Sequence, residues 1–172
     1  MTTWNDSFHL LQMNNERVLM FKKTLIISIA FTFLSLTPLT VLARMVSVSG
    51  EDVNLRSGPG TNYSVKWKYG SGLPLKVIKE QGSWVKVQDF EKDSGWLHKD
   101  LLSNTGHMIV KVNKDKNKKI NIRSGPGTNF KIVGKAYYGV VFKTMKQQKG
   151  WAQVKHESGV TGWVKRTLLW GF

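Results

Sequence analysis

Chemistry by a protein needs reactive side chains held at short range, and this sequence supplies few. It has no cysteine, which removes thiolate metal sites, cysteine nucleophiles and disulfides together. The four histidines, His9, His98, His107 and His156, stand singly, without the spacing of metal ligands, and read as surface residues. Ser57 and Ser124 each precede Gly-Pro-Gly, but neither has the strand-turn-helix setting of an activated serine. Their expected role is hydrogen bonding within the turn. Asp89, Glu91 and Asp93 suggest paired acids for glycan cleavage. A second copy of the same stretch carries His156, Ser158 and Val160 instead, so the acids read as a solvated, charged loop. No catalytic residue, metal or cofactor is expected, and the chain does not read as an enzyme.

Side chains suited to binding are more abundant. Tyr69, Tyr137 and Tyr138 lie beside glycine-bounded loops and are expected to line a shallow groove. Flat aromatic faces of this kind give contact area to a peptide or sugar chain at low entropic cost. Trp96 and Trp163, each between a glycine and an aliphatic residue on a short strand, fit either a core or a groove floor. Tyr63 and Phe130 read as core with an edge showing. Arg56 and Arg123 stand at equivalent places directly before a turn, where an arginine either braces turn carbonyls or reaches a ligand carboxylate. The run Lys111, Lys114, Lys116, Lys118 and Lys119 surrounds an expected hairpin tip at residues 113–117. It reads either as a solvated hairpin or as an electrostatic handle for anionic polymers, whose contribution falls as salt rises.

The elements that position these residues follow from a repeat. Val53-Asn54-Leu55-Arg56-Ser57-Gly58-Pro59-Gly60-Thr61-Asn62-Tyr63 recurs as Ile120-Asn121-Ile122-Arg123-Ser124-Gly125-Pro126-Gly127-Thr128-Asn129-Phe130. The same offset of 67 residues carries Trp84 onto Trp151, Gly95-Trp96 onto Gly162-Trp163, and Leu101-Leu102 onto Leu168-Leu169, with no gap from Val53 to Leu102. Solenoid units are shorter than this, so each copy is expected to own a core. Within a copy, short alternating runs such as Val53–Arg56 and Val65–Tyr69 suit half-buried strands, separated by Gly-Pro-Gly, Gly-Ser-Gly and Gln-Gly turns. Lys99-Asp100-Leu101-Leu102 suits one helical turn. Five or six strands in so short a length bury a core only by closing into a small barrel.

Asn-Leu-Arg-Ser-Gly-Pro-Gly-Thr-Asn-Tyr, then Gly-Ser-Trp-Val-Lys-Val, then Gly-Trp-Leu-His-Lys-Asp-Leu-Leu closely resembles the bacterial SH3-like domain, and the second copy matches the same pattern. The resemblance implies an all-β protein of two tandem SH3-like barrels, expected at residues 44–105 and 106–172. It also implies an exported or envelope protein, since such domains often attach an enzyme to cell-wall peptide or glycan. The second copy departs where Trp67 becomes Gly134, Pro74 becomes Val141 and Asp89 becomes His156. These changes read as surface or loop positions, which leaves the fold intact and puts a shared ligand in question.

The N-terminal segment reads as a secretory signal. Lys22 and Lys23 precede an apolar run from Leu25 to Leu36, and Pro38 and Val41-Leu42-Ala43 complete the basic, apolar, small-residue order. Cleavage is expected after Ala43, with translation starting at Met20 or Met13 because residues 1–19 are too polar for such a leader. Removing residues 1–43 takes away Arg17, Lys22 and Lys23 but also Asp6 and Glu16, so nearly all of the net charge of +15 stays. A periplasmic or secreted, strongly basic protein is attracted to polyanions. The expected partner is a cell-wall peptide or glycan, or an envelope protein. A role as accessory or regulatory subunit of a cell-wall hydrolase stays open. A basic barrel binding single-stranded nucleic acid also stays open, although export makes nucleic acid an unexpected partner. Membrane association is expected only through an uncleaved signal.

Overall fold

The computed structural model describes residues 44–114 and 117–172. The expected signal segment and Lys116 lie outside the described residues. The described residues form fourteen strands, β1 to β14, in two sheets of seven. The first sheet has β1 (Met45–Val48), β2 (Val53–Arg56), β3 (Val65–Tyr69), β4 (Pro74–Gln81), β5 (Trp84–Gln88), β6 (Ser94–His98) and β7 (Leu102–Ser103). Its order is β3-β2-β6-β5-β4-β1-β7, antiparallel throughout. The second sheet repeats this order with β8 (His107–Val110), β9 (Ile120–Arg123), β10 (Ile132–Ala136), β11 (Val141–Gln148), β12 (Trp151–Lys155), β13 (Thr161–Lys165) and β14 (Leu169–Gly171). One 3-10 turn, Lys99–Leu101, precedes β7, and Arg166–Leu168 precedes β14. The two tandem barrels expected from the repeat are therefore present.

The long fourth strand of each copy curls the sheet. The first half of β4 pairs with β1 and its second half with β5, and the register slips between Val77 and Lys79. β11 does the same between Thr144 and Lys146. An extra residue on one strand bends it and raises its twist, so one strand serves two sides of a barrel. Alternation along β5 and β12 then turns Val85 and Val87, and Ala152 and Val154, inward. They meet Val46, Val48, Leu55, Leu75 and Leu97 in the first core, and Met108, Val110, Ile122, Phe142, Val164 and Leu169 in the second.

The hairpin expected at residues 113–117 is not one. β8 pairs with β11 and β14, and β9 with β10 and β13, so these two strands are not neighbours. The link from β8 to β9 instead joins separate parts of the sheet, and it is longer than the equivalent link at residues 49–52. This extra length is the main departure between the copies in backbone.

Candidate binding site

The shared Arg-Ser-Gly-Pro-Gly-Thr signature is built as a braced turn. The Arg56 guanidinium donates from Nη1 to the carbonyls of Thr61 (2.9 Å) and Tyr63 (2.8 Å), and Arg123 Nη1 donates to Phe130 (2.8 Å). Of the two roles open to these arginines, the geometry gives bracing. Tyr63 and Phe130 fold back over Gly58 and Gly125, where any Cβ would collide with their rings. Both rings remain part-exposed, at 43% and 41%.

Three of the expected groove residues are buried instead. Tyr69 belongs to the first core, because β3 ends by turning its last side chain inward, and its hydroxyl donates to Asp89 at 2.8 Å. Trp96 and Trp163 are only 6% and 9% exposed, each on a strand directly beside Arg56 or Arg123, so they are not open groove floor. Lys79 lies over the Trp96 ring, 5.1 Å from its centre. Asp89 corrects the reading of a solvated acidic loop. It is 7% exposed and accepts hydrogen bonds from the backbone N–H groups of Glu91 (3.0 Å) and Asp93 (2.9 Å) as well as from Tyr69. A single buried carboxylate tying a β-turn is structural.

Tyr137 and Tyr138 come together with the long loop of the second barrel. Both line a hollow of about 610 Å³ whose other walls are Lys114 and Asn117. Tyr137 is 43% exposed, and the Lys119 ammonium stands 4.5 Å from its ring centre, within reach of cation–π attraction. Lys114 lies 5.9 Å from the centre of Tyr138 and 2.8 Å from the Glu91 carboxylate of the first barrel. Tyr138 donates its hydroxyl to the same carboxylate and packs against Phe90 at 5.4 Å. Lys114 and Tyr138 hold the Glu91 carboxyl below its ordinary range, the lysine first. The Tyr138 phenol is pushed up to about 12, by burial and then by Glu91. Tyr138 is therefore fixed in place by the first barrel, while Tyr137 presents an open face. Lys118 lies on the same loop.

What sequence reasoning missed is that Glu91 connects the barrels, whereas Trp67, read as a surface position, stands 53% exposed on β3. The signal for Trp67 was available, since β3 reads Val-Lys-Trp-Lys-Tyr and only its last residue needs burial. Among the described residues no group of three histidine or acidic side chains could hold a metal ion.

The comparisons with known proteins agree with this architecture. The family described as "Bacterial SH3 domain" matches residues 49–104 and again 118–169. A Bacillus subtilis protein named "Putative N-acetylmuramoyl-L-alanine amidase YrvJ" is 28% identical over 81% of this chain and 29% of its own length. A Staphylococcus aureus protein named "Probable cell wall amidase LytH" is 33% identical over 44% of this chain and 28% of its own. The chain thus spans less than a third of either relative. Among solved structures, one named "Endolysin LysPBC5 CBD" aligns with 75% of this chain and 93% of its own at 16% identity, with a TM-score of 0.32.

Proposed function

Because the chain belongs to the bacterial SH3 domain family and carries two of these domains in tandem, we propose that it is a non-catalytic binding module of the cell envelope. Its ligand is a cell-wall peptide or glycan, taken up on the second barrel at Tyr137, Tyr138, Lys114 and Lys119. The observation that carries this reading is the open face of Tyr137 with a lysine ammonium 4.5 Å away, beside a hollow of about 610 Å³. An aromatic face receives the apolar side of a sugar or a peptide backbone, and the lysines receive carboxylates. Two relatives named as amidases support a cell-wall setting, and the N-terminal basic, apolar, small-residue order supports export to the periplasm or beyond. Because two relatives are named as amidases, a second reading is an accessory subunit that brings a separate hydrolase to its substrate.

The test is retention of the protein on purified, insoluble peptidoglycan at low and high salt, with a zymogram alongside. Retention at both salts, lowered at least fivefold by Tyr137→Ala, is the expected result. Retention at low salt alone and unaffected by Tyr137→Ala would mean that the net charge of +15 acts without a groove. Clearing of the zymogram would overturn the non-catalytic reading.

A further inference from the structure

The two copies differ most in what fills one end of the barrel. In the first, Tyr69 closes it with a ring only 9% exposed, its hydroxyl on Asp89. At the constant offset, Ala136 stands for Tyr69, Gly134 for Trp67 and His156 for Asp89. Phe142 in place of Leu75 restores part of the lost volume, its ring edge-on to His156 at 5.8 Å. What remains is a hollow of about 260 Å³ walled by Ile122, Ala136, Val140 and Phe142, with Lys135, His156 and Ser158 as polar groups. Gly134 keeps its mouth open. A Cβ there would come within 3.2 Å of Val160 Cγ1 and 3.5 Å of Ile122 Cδ1.

We propose that this hollow is a binding site for a single aromatic ring bearing a hydroxyl, the group that the first barrel carries at the same place in its own chain. Apolar cavities of about 150 Å³ already admit a benzene ring, so the space suffices for a phenol. The polar end fits as well. His156 Nδ1 accepts the backbone N–H of Ser158 (3.2 Å) and lies 2.8 Å from its hydroxyl. With Nδ1 accepting, the ring hydrogen sits on Nε2, so His156 offers a donor where Asp89 offers only acceptors. A ligand hydroxyl can take either role. In the first barrel the site is filled by Tyr69 and is closed to any ligand, so the two copies are not equivalent binders. Binding here does not require wall binding, although the two hollows share Tyr137.

The experiment is a titration of the full chain with p-cresol, toluene and N-acetyltyrosine amide, read by methyl NMR. p-Cresol should give saturable shifts at Ile122, Ala136, Val140 and Val160, with Leu55 and Val87 of the first barrel unmoved, and toluene should bind at least threefold more weakly. Binding of the amide as well would assign a peptide-borne ring; binding of p-cresol alone would assign a free one. Ala136→Phe, which rebuilds the ring of the first barrel, should weaken binding at least tenfold. Gly134→Trp should do the same by covering the mouth, and it keeps the test open if Ala136→Phe does not fold, since Val160 is exposed and can yield. Absence of saturable shifts with both phenols, toluene binding as tightly as p-cresol, or undiminished binding in a folded variant would each overturn the proposal.

Discussion

At the scale of single residues, the pair Tyr69 and Asp89 decides what the first barrel can and cannot do. Burial, and then the neighbouring Asp89 carboxylate, hold the Tyr69 phenol well above its ordinary value. Removing the hydroxyl leaves a carboxylate that is 7% exposed with only its two backbone donors. Tyr69→Phe should therefore lower stability at neutral pH by about 1.5–3 kcal/mol, the usual range for a hydrogen bond to a charged group. The sign of the pH effect follows from the raised value. The folded state favours the protonated phenol, so its contribution is complete below the unfolded value of about 10 and is lost as pH rises beyond it. Urea unfolding across alkaline pH should show a steeper fall above pH ~10 in the wild type than in Tyr69→Phe, and parallel curves would refute the assignment. Tyr69 was misread from the sequence because a tyrosine beside a glycine-bounded loop looks the same whether its ring faces in or out. The decisive clue was the comparison of copies, in which Tyr69 and Asp89 change together to Ala136 and His156.

Elements were more legible than residues, because the repeat reports backbone demands twice. Gly95 and Gly162 recur before a tryptophan for a reason the structure makes concrete. A Cβ on Gly162 would lie 2.6 Å from Ile122 Cγ2 and 2.7 Å from the Arg123 carbonyl oxygen, and Gly95 faces Leu55 and the Arg56 carbonyl in the same way. β6 crosses β2, and β13 crosses β9, at a spacing that only glycine permits. The obstacle includes backbone, which cannot rotate aside, so Gly162→Ala should destabilise the second barrel by about 1–3 kcal/mol, as overpacking does. Gly106→Ala is the control. Its Cβ would rest 3.5 Å from Phe172 in ordinary contact, and its effect on a denaturation midpoint should be small. Equal effects of the two changes would show that crowding at the crossing is not what selects glycine. The braced turn was equally readable, since proline, glycine and arginine each state a local requirement. The link between β8 and β9 was not, because alternating lysines and asparagines fit a hairpin tip locally, and only the pairing of β8 with β11 excludes one.

The sequence says least about how the barrels meet, since no periodicity encodes a contact between distant loops. The seam is polar and specific. The Ser47 hydroxyl, fully buried, donates to the Thr105 carbonyl (2.9 Å), and His107 Nδ1 lies 3.1 Å from both that carbonyl and the Ser47 oxygen. On the other side, Lys114 and Tyr138 grip Glu91. Burial, with Lys143 adding repulsion, lowers the His107 value although the Thr105 carbonyl opposes the shift. A depressed histidine stabilises the folded state only while neutral, so its contribution is complete above the unfolded value of about 6.5 and is lost as pH falls below it. Glu91 acts later in the same direction, because its lowered carboxyl value makes the clamp complete above the unfolded carboxylate range and weak below it. Acidification should therefore loosen the joint in two stages, first at His107 and then at Glu91, while each barrel keeps its own core. Small-angle scattering of the chain from pH 7.5 to pH 4 should show a rising radius of gyration with unchanged far-ultraviolet circular dichroism. His107→Gln retains an amide donor for Thr105 but does not titrate, so it should remove the first stage and leave the second. An unchanged first stage in that variant would assign the joint's acid response to some other group.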